Sequence, residues 1–220
     1  MFERGSEGGV LMVLADGMGG AAAGEVASRM AVDTLKGRFF DELAAGTPSQ
    51  ALRKSMDAAN AAIYSKASGN SDFKGMGTTC TAASVIGDSL HVGHVGDSRA
   101  YLVADDDIRV LTRDHTLAAE LSGMGGRDSA PEGARNVLTR CLGNQSEVQV
   151  EVFDQPITLH SGNVIVLCSD GLSNLVGPDE IFHTVTENDP ETACQRLVGL
   201  ARERGGPDNI TVQVARLRAA

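Results

Sequence analysis

"VLMVLADGMGG", residues 10–20, joins an apolar run to an aspartate that is followed by glycine at three of the next four positions. The run predicts a short buried strand that ends at Asp16. The glycines have two interpretations. They form an ordinary tight turn, or they let the backbone come close to something that Asp16 holds. The rest of the chain has to decide between the two.

Helical periodicity follows this stretch. Apolar residues recur in steps of four from residue 24 to about residue 45, which predicts a helix. The break "GTPSQ" precedes a second predicted helix over residues 48–68, where Pro48 suits the first turn. A third helix is predicted over residues 190–204.

Strand signals dominate from Thr78 onward. The strands are short, β-branched and separated by turn signals, which is typical of antiparallel pairing. They are predicted at 78–86, 89–95, 99–104, 108–112, 148–153, 163–169 and 210–217. Residues 111–140 read mostly as loop, with one short helix at the start. With no repeat and no linker, the pattern indicates one α+β domain with helices packed outside antiparallel sheets.

Composition excludes several classes of function. The net charge is −10, and the chain has no Lys/Arg block and no Trp, which argues against nucleic-acid binding. Its longest apolar run is far shorter than the ~20 residues of a membrane span, and the first residues do not resemble a signal peptide. Four scattered cysteines without a C-x-x-C pair predict reduced thiols and a cytoplasmic protein.

Four aspartates lie where an apolar strand meets a loop, namely Asp16, Asp114, Asp170 and Asp208. A partly desolvated carboxylate costs several kcal/mol unless it is paired or bound to a cation. The nearby arginines are too few to pair with four carboxylates, whereas Mg²⁺ and Mn²⁺ prefer oxygen ligands. Each Asp-Gly alone favours a turn, but together they predict a divalent-metal site. Gly17 would let a main-chain carbonyl reach the metal.

Other catalytic motifs are not found. The sequence has no phosphate-binding P-loop, no H-E-x-x-H, no G-x-S-x-G and no cysteine-nucleophile phosphatase loop. His91 and His94 are three residues apart in a predicted strand, so they face opposite sides and cannot both bind one metal. The residues therefore offer no Ser, Cys or His nucleophile.

Seven stretches resemble, in order, the bacterial form of the metal-dependent type 2C serine/threonine protein phosphatases, over about residues 9–217. They are "VLADGMGGAAAGEVAS" (13–28), "GTTCTAASV" (77–85), "VGDSRAYL" (95–102), "LTRDHT" (111–116), "NVLTRCLG" (136–143), "VLCSDGL" (166–172) and "GGPDNITV" (205–212). The resemblance implies a four-layer α/β/β/α sandwich, in which two antiparallel sheets are flanked by helix pairs. It also implies a binuclear Mn²⁺ or Mg²⁺ centre at one end.

The resemblance also assigns ligands. Asp16 would bridge the two metals, the Gly17 carbonyl would bind one of them, and Asp170 and Asp208 would complete the other. Asp114 would serve a third, weaker metal together with Asp170. The implied reaction is hydrolysis of phosphoserine and phosphothreonine on proteins by a metal-bridging hydroxide, with Asp16, Asp170 and Asp208 as the catalytic residues. The implied partners are phosphoprotein substrates and a cognate serine/threonine kinase.

Further positions receive structural interpretations. Asp97 and Arg99 are predicted to form a polar turn between two strands, and His115 to support the site rather than act as an acid. Met18 stands where eukaryotic members of the family carry a histidine proposed as the acid. Residues 123–133 correspond to a flap that would tune substrate choice.

One family motif is missing. Members usually begin with a strand carrying Arg-x-x-Asn-Glu-Asp, and "FERGSEGG" does not match it. Arg4 is no substitute, so no strand is expected beside "VLMVLA" on that side. Three explanations are open: an upstream start, which makes residues 1–220 a single N-terminally incomplete domain; a complete but weak enzyme; or a pseudophosphatase that binds phosphoproteins. Intact metal aspartates favour the first. A hydrolase of small phosphate esters is a further alternative.

Overall fold

The computed structural model describes residues 2–4, 9–123, 133–153 and 155–218. Its helices are α1 (Ala21–Ala44), α2 (Pro48–Gly69), α3 (Leu117–Gly123), α4 (Asp170–Ser173), α5 (Pro178–Glu187) and α6 (Pro190–Glu203). Its strands are β1 (Phe2–Arg4), β2 (Val10–Leu14), β3 (Gly17–Met18), β4 (Gly77–Thr78), β5 (Cys80–Ile86), β6 (Ser89–Val95), β7 (Arg99–Ala104), β8 (Asp107–Val110), β9 (Glu151–Val152), β10 (Ile157–Thr158), β11 (Val164–Cys168) and β12 (Val212–Arg216).

The described strands form two main antiparallel sheets. The first has the order β1-β2-β5-β6-β10, and β9 also pairs with β6. The second has the order β12-β11-β7-β8. A separate short antiparallel pair joins β3 to β4. Strand β3 follows β2 in the chain and leads into α1, whereas β4 lies just before β5.

Three apolar cores separate four layers. Strand β2 shows how, because its alternating side chains face opposite ways. Leu11 and Val13 pack against α1 and α2, while Met12 and Leu14 pack against the second sheet. The third core fills the space between the second sheet and helices α5 and α6. The implied four-layer α/β/β/α sandwich is therefore confirmed.

Burial on both faces explains the sequence pattern of the central strands. β2 and β11 are buried along most or all of their length, so they read as continuous apolar runs rather than as alternating ones. Helices α1, α2, α3 and α6 lie close to their predicted positions. Helix α5 was not predicted, because only Ile181 and Val185 are fully buried on it and two positions make a weak periodic signal. None of the described helices is long and apolar enough to cross a membrane.

The expectation that no strand lies beside β2 on its outer side was wrong. Strand β1 pairs with β2 in antiparallel register, with Phe2 opposite Met12 and Arg4 opposite Val10. Three residues are too few to produce a detectable period, which is why the sequence did not reveal the strand. Most of the predicted flap, residues 124–132, lies outside the described residues.

Two glycines, Gly17 and Gly24, let helix α1 pack directly against the backbone that follows Asp16. A Cβ built on Gly17 would lie 2.0 Å from the carbonyl oxygen of Gly24. A Cβ built on Gly24 would lie 2.8 Å from the carbonyl carbon and the carbonyl oxygen of Gly17. Both residues must therefore lack a side chain for the backbones to touch. The close approach that the glycines permit is thus to helix α1 as well as to any ligand of Asp16.

We expect Gly24→Ala to destabilise the protein by about 1–3 kcal/mol, because the added methyl group overlaps backbone atoms that cannot rotate away. Gly37→Ala is the matched control in the same helix, since nothing lies within 4 Å of its Cβ position. It should stabilise by about 0.4–1 kcal/mol through helix propensity and reduced unfolded-state entropy. Chemical denaturation of both variants measures this. Equal effects of the two substitutions would contradict the contact.

Candidate metal centre

Asp16 is fixed by its main chain. Its carbonyl oxygen accepts hydrogen bonds from the Thr79 amide and the Thr78 hydroxyl, both at 2.8 Å. Its own amide donates to Thr79 Oγ1 at 2.9 Å. Thr79 Oγ1 lies 2.8 Å from Ser98 Oγ, in the turn between β6 and β7. Asp16, two residues after the end of β2, is thus tied to the residue that precedes β5 in the first sheet and, through it, to the residue that precedes β7 in the second.

Asp170 and Asp208 are brought together by the loop in front of β12. Ser169 Oγ donates to the Asn209 carbonyl at 3.1 Å and accepts from the Thr211 amide at 3.0 Å. A Cβ on Gly171 would lie 2.3 Å from the Asn209 carbonyl oxygen, so glycine allows the loop to dock on the first turn of α4. Two residues far apart in sequence therefore end on one edge.

These carboxylates line one cleft of about 480 Å³. Asp16, Asp97, Asp170 and Asp208 all lie on its wall, with Gly17 beside them. The other lining residues are both apolar and polar, and include Met18, Leu138, Leu175, Thr79, Asn136 and Asn174. Of the described residues that line the cleft, none is a lysine, an arginine or a histidine. The structure thus gathers three of the four predicted aspartates, together with one that was not predicted.

Burial and mutual repulsion perturb the acids. Burial raises the pKa of Asp16 to about 6, helped by the charges of Asp170 and Asp208. Burial raises the pKa of Asp97 to about 7, helped by Asp170 and Asp114. The pKa of Asp170 is also raised, first by burial and then by Asp208. A bound divalent cation would offset this repulsion, so the donor set fits a hard metal ion.

The carboxylates share the cleft without forming a closed cage. In the described part of the chain, no three Asp, Glu, His or Cys side chains already stand as a complete metal-binding group. Such openness is compatible with Mg²⁺ or Mn²⁺, which retain several water ligands and need few from the protein.

Asp114, predicted as the ligand of a third metal, is engaged elsewhere in this structure. Arg99 Nε and Nη2 contact its two carboxylate oxygens at 2.9 and 2.7 Å, a bidentate pair. The pair lies in an adjoining recess of about 300 Å³ that Asp97 and Asp170 also line. Asp114 thus borders the main cleft rather than lining it.

Asp97 was predicted to have only a structural role. It lines both the cleft and the recess, and the charges of Asp16 and Asp114 both act on its carboxylate. The signal was present, because Asp97 also follows a strand, β6, and precedes a loop. Its place in the predicted polar turn with Arg99 favoured a structural interpretation, but Arg99 pairs with Asp114.

The histidines lie away from the cleft wall. His115 is 3 % exposed and His94 is 2 % exposed, and their rings pack 4.8 Å apart between the sheets. His91 lies on the other face of β6, with Nδ1 3.4 Å from Ser49 Oγ. The two β6 histidines thus face opposite sides, as their spacing predicted.

The sequence of this chain is similar to that of a known protein family and of several bacterial phosphatases. The model of protein phosphatase 2C matches residues 2–198. The serine/threonine phosphatase stp of Listeria monocytogenes serovar 1/2a is 35 % identical over 209 residues, which are 92 % of this chain and 82 % of that protein. The serine/threonine protein phosphatase PstP of Mycobacterium tuberculosis is 37 % identical over 214 residues, which are 94 % of this chain and 40 % of that longer protein.

Solved structures of phosphatases from this family share the fold of this chain. The crystal structure of M. tuberculosis PstP/Ppp superposes with a TM-score of 0.87 at 35 % identity, covering 100 % of this chain and 92 % of that one. The catalytic domain of PstP in complex with two manganese ions gives a TM-score of 0.83 at 34 % identity, covering 100 % and 91 %. With a family match along most of its length, this chain belongs to the protein phosphatase 2C family.

Proposed function

We propose that this chain hydrolyses phosphoserine and phosphothreonine esters on proteins and that it requires Mn²⁺ or Mg²⁺. The observation that carries the proposal is a cleft lined by four aspartates, with no cationic side chain among its described lining residues. Membership of the phosphatase family and the names of the relatives support the choice of substrate. The two manganese ions of PstP support the choice of metal.

Asp16, Gly17, Asp170 and Asp208 would hold two cations in the cleft. When bound, such a pair supplies a water that ionises near neutral pH and offsets charge on the phosphoryl oxygens. We assign Asp97 to the same centre, on the side of the recess that it shares with Asp170. Asp114 already pairs with Arg99, and a third cation bound there would compete with that ion pair for the carboxylate.

The protein's own residues orient the site and keep other nucleophiles out of it. Thr78 and Thr79 hold the Asp16 main chain, so its carboxylate does not depend on a mobile loop. Burial raises the pKa of Cys80 and of Cys168 to about 12, which leaves both thiols protonated and unreactive. A direct attack by water therefore fits the site better than a covalent phosphoenzyme.

The cellular setting is part of the proposal. A protein phosphatase of this kind acts against a serine/threonine kinase, and we propose such a kinase as the source of its substrates. All four cysteines are free thiols, three of them buried, which fits a reducing cytoplasm.

We expect Asp16→Asn and Asp170→Asn to lower the Mn²⁺-dependent kcat/KM for a phosphothreonine peptide at least about 100-fold, because each removes a charged ligand. Asp33→Asn, an exposed change on α1, is the matched control and should leave the rate unchanged. Hydrolysis of phosphopeptides and p-nitrophenyl phosphate with and without Mn²⁺ measures the effect.

Three results of this assay would count against the proposal. Turnover that does not change with Asp170→Asn would contradict the proposed metal site. Phosphopeptide binding without turnover would favour a pseudophosphatase. A strong preference for small esters over phosphopeptides would favour a small-ester hydrolase.

The raised pKa of Asp97 predicts a pH-dependent penalty in the metal-free protein. The folded state keeps this proton up to about pH 7, whereas the unfolded chain releases it near the ordinary aspartate pKa of 3.8. Stability from this group is therefore lost as the pH rises from about 4 to 7. In excess EDTA, Asp97→Asn should stabilise the protein by about 1–2 kcal/mol at pH 8 and by less at pH 5.

Thermal unfolding at the two pH values tests this penalty, with Asp33→Asn as the control. In saturating Mn²⁺ the sign should reverse, because the variant loses a ligand. A variant that is less stable than the parent at pH 8 in EDTA would contradict the electrostatic account of the cleft.

A further inference from the structure

We propose that Glu151 and His115 are positioning residues for Asp97. The two side chains hold the Gly96–Asp97 turn from behind the cleft through a chain of hydrogen bonds. The inference rests on the proposed function, in which Asp97 belongs to the metal centre. It concerns residues that lie outside the cleft wall and touch neither metal nor substrate.

The turn is clamped at Gly96. The amide of Gly96 donates to His115 Nδ1 at 3.1 Å, and the amide of His115 donates to the Gly96 carbonyl at 2.8 Å. Gly96 has a φ of +112°, and a Cβ there would lie 2.6 Å from Thr79 side-chain atoms. The turn that carries Asp97 is thus fixed between Thr79 on one side and the imidazole of His115 on the other.

The hydrogen bond from Gly96 defines the histidine tautomer. Nδ1 accepts a hydrogen bond from the Gly96 amide, so this nitrogen carries no proton and the neutral ring holds its proton on Nε2. Nε2 is 3.1 Å from Glu151 Oε1, an acceptor in the right place. Glu151 therefore stabilises the tautomer that Gly96 requires.

Arg140 completes the arrangement from the surface. Its Nη1 donates to the same Glu151 oxygen at 3.2 Å. Its 3.4 Å approach to His115 Nε2 brings two donors together in this tautomer, so that contact is not a hydrogen bond. Arg140 and Glu151 are 30 % and 40 % exposed, whereas the His115 side chain is 3 % exposed. The Glu151 carboxylate thus links the partly exposed Arg140 to the buried ring of His115.

The neighbouring histidine does not replace this function. His94 Nδ1 lies 2.9 Å from the Thr81 hydroxyl, and Nε2 lies 3.1 Å from the Arg113 carbonyl. Both nitrogens of that ring already have partners. If His115 lost Glu151 and moved its proton to Nδ1, two N–H groups would face each other at Gly96. The buried site gives water little access to relieve that conflict.

A double-mutant cycle on Mn²⁺ binding tests the inference in the intact chain. Isothermal titration calorimetry is done on the parent, Glu151→Ala, Asp97→Asn and the double variant. We expect Glu151→Ala to weaken Mn²⁺ binding about 10-fold, as loss of a supporting partner does. In the Asp97→Asn background the same change should have almost no effect, because the group that it positions is gone.

Two further variants separate positioning from general destabilisation. Glu151→Gln keeps an acceptor oxygen for His115 Nε2 and should retain most of the Mn²⁺ affinity. Glu147→Ala removes an exposed acid from the same segment and should leave the affinity unchanged. Equal loss of affinity in Glu151→Ala with and without the Asp97→Asn change would overturn the inference, as would no loss in Glu151→Ala.

Nitrogen NMR of the histidine rings gives a readout that is independent of metal and activity. In the metal-free parent at pH 7.5, His115 should show the Nε2–H tautomer, and Glu151→Ala should add the Nδ1–H form. An Nδ1–H ring in the parent would overturn the inference. If Asp97→Asn alone leaves Mn²⁺ binding unchanged, the assigned centre is wrong at that residue. If only the coupling fails, the positioning role is wrong.

Discussion

The hydrogen bonds around the Asp16 main chain are the constraint on which the site depends. Thr78 and Thr79 use an amide and two hydroxyls to hold both the carbonyl and the amide of one residue. Thr79 then reaches Ser98, which precedes a strand of the other sheet. Because buried backbone groups beyond a strand end must be paired, this arrangement satisfies the amide and the carbonyl of Asp16 and links the two sheets beside the cleft.

That constraint makes electrostatic repulsion unavoidable. Once Asp16 is fixed, the docking of the Asn209 loop on Ser169 brings Asp170 and Asp208 to the same edge. Burial, reinforced by this repulsion, raises the pKa of Asp16 and of Asp97 in the absence of a cation. The three apolar cores supply the stability that this cleft takes away. Sites of this kind are commonly destabilising elements in an otherwise consistent fold.

The sequence predicted the parts whose signal is local and repeated. Long helices such as α1 have several turns of periodicity, and Asp16, Asp170 and Asp208 share one context, an apolar strand followed by a loop. The missed parts depend on contacts between distant segments. Strand β1 is too short to show a period, and the position of Asp97 in a polar turn with Arg99 favoured a structural role. In the structure Arg99 pairs with Asp114 and Asp97 lines the cleft, which only the three-dimensional fold could decide.

The backbone contact between Gly17 and Gly24 has a consequence for how this protein can change over generations. A side chain on either glycine would overlap backbone atoms of the other. Because every residue type has that backbone, no substitution of the one glycine makes room for a side chain on the other. Gly37, in the same helix with open space around it, is under no such restriction. Sequence drift along α1 should therefore be strongly uneven, with Gly24 nearly fixed and open positions such as Gly37 free to vary.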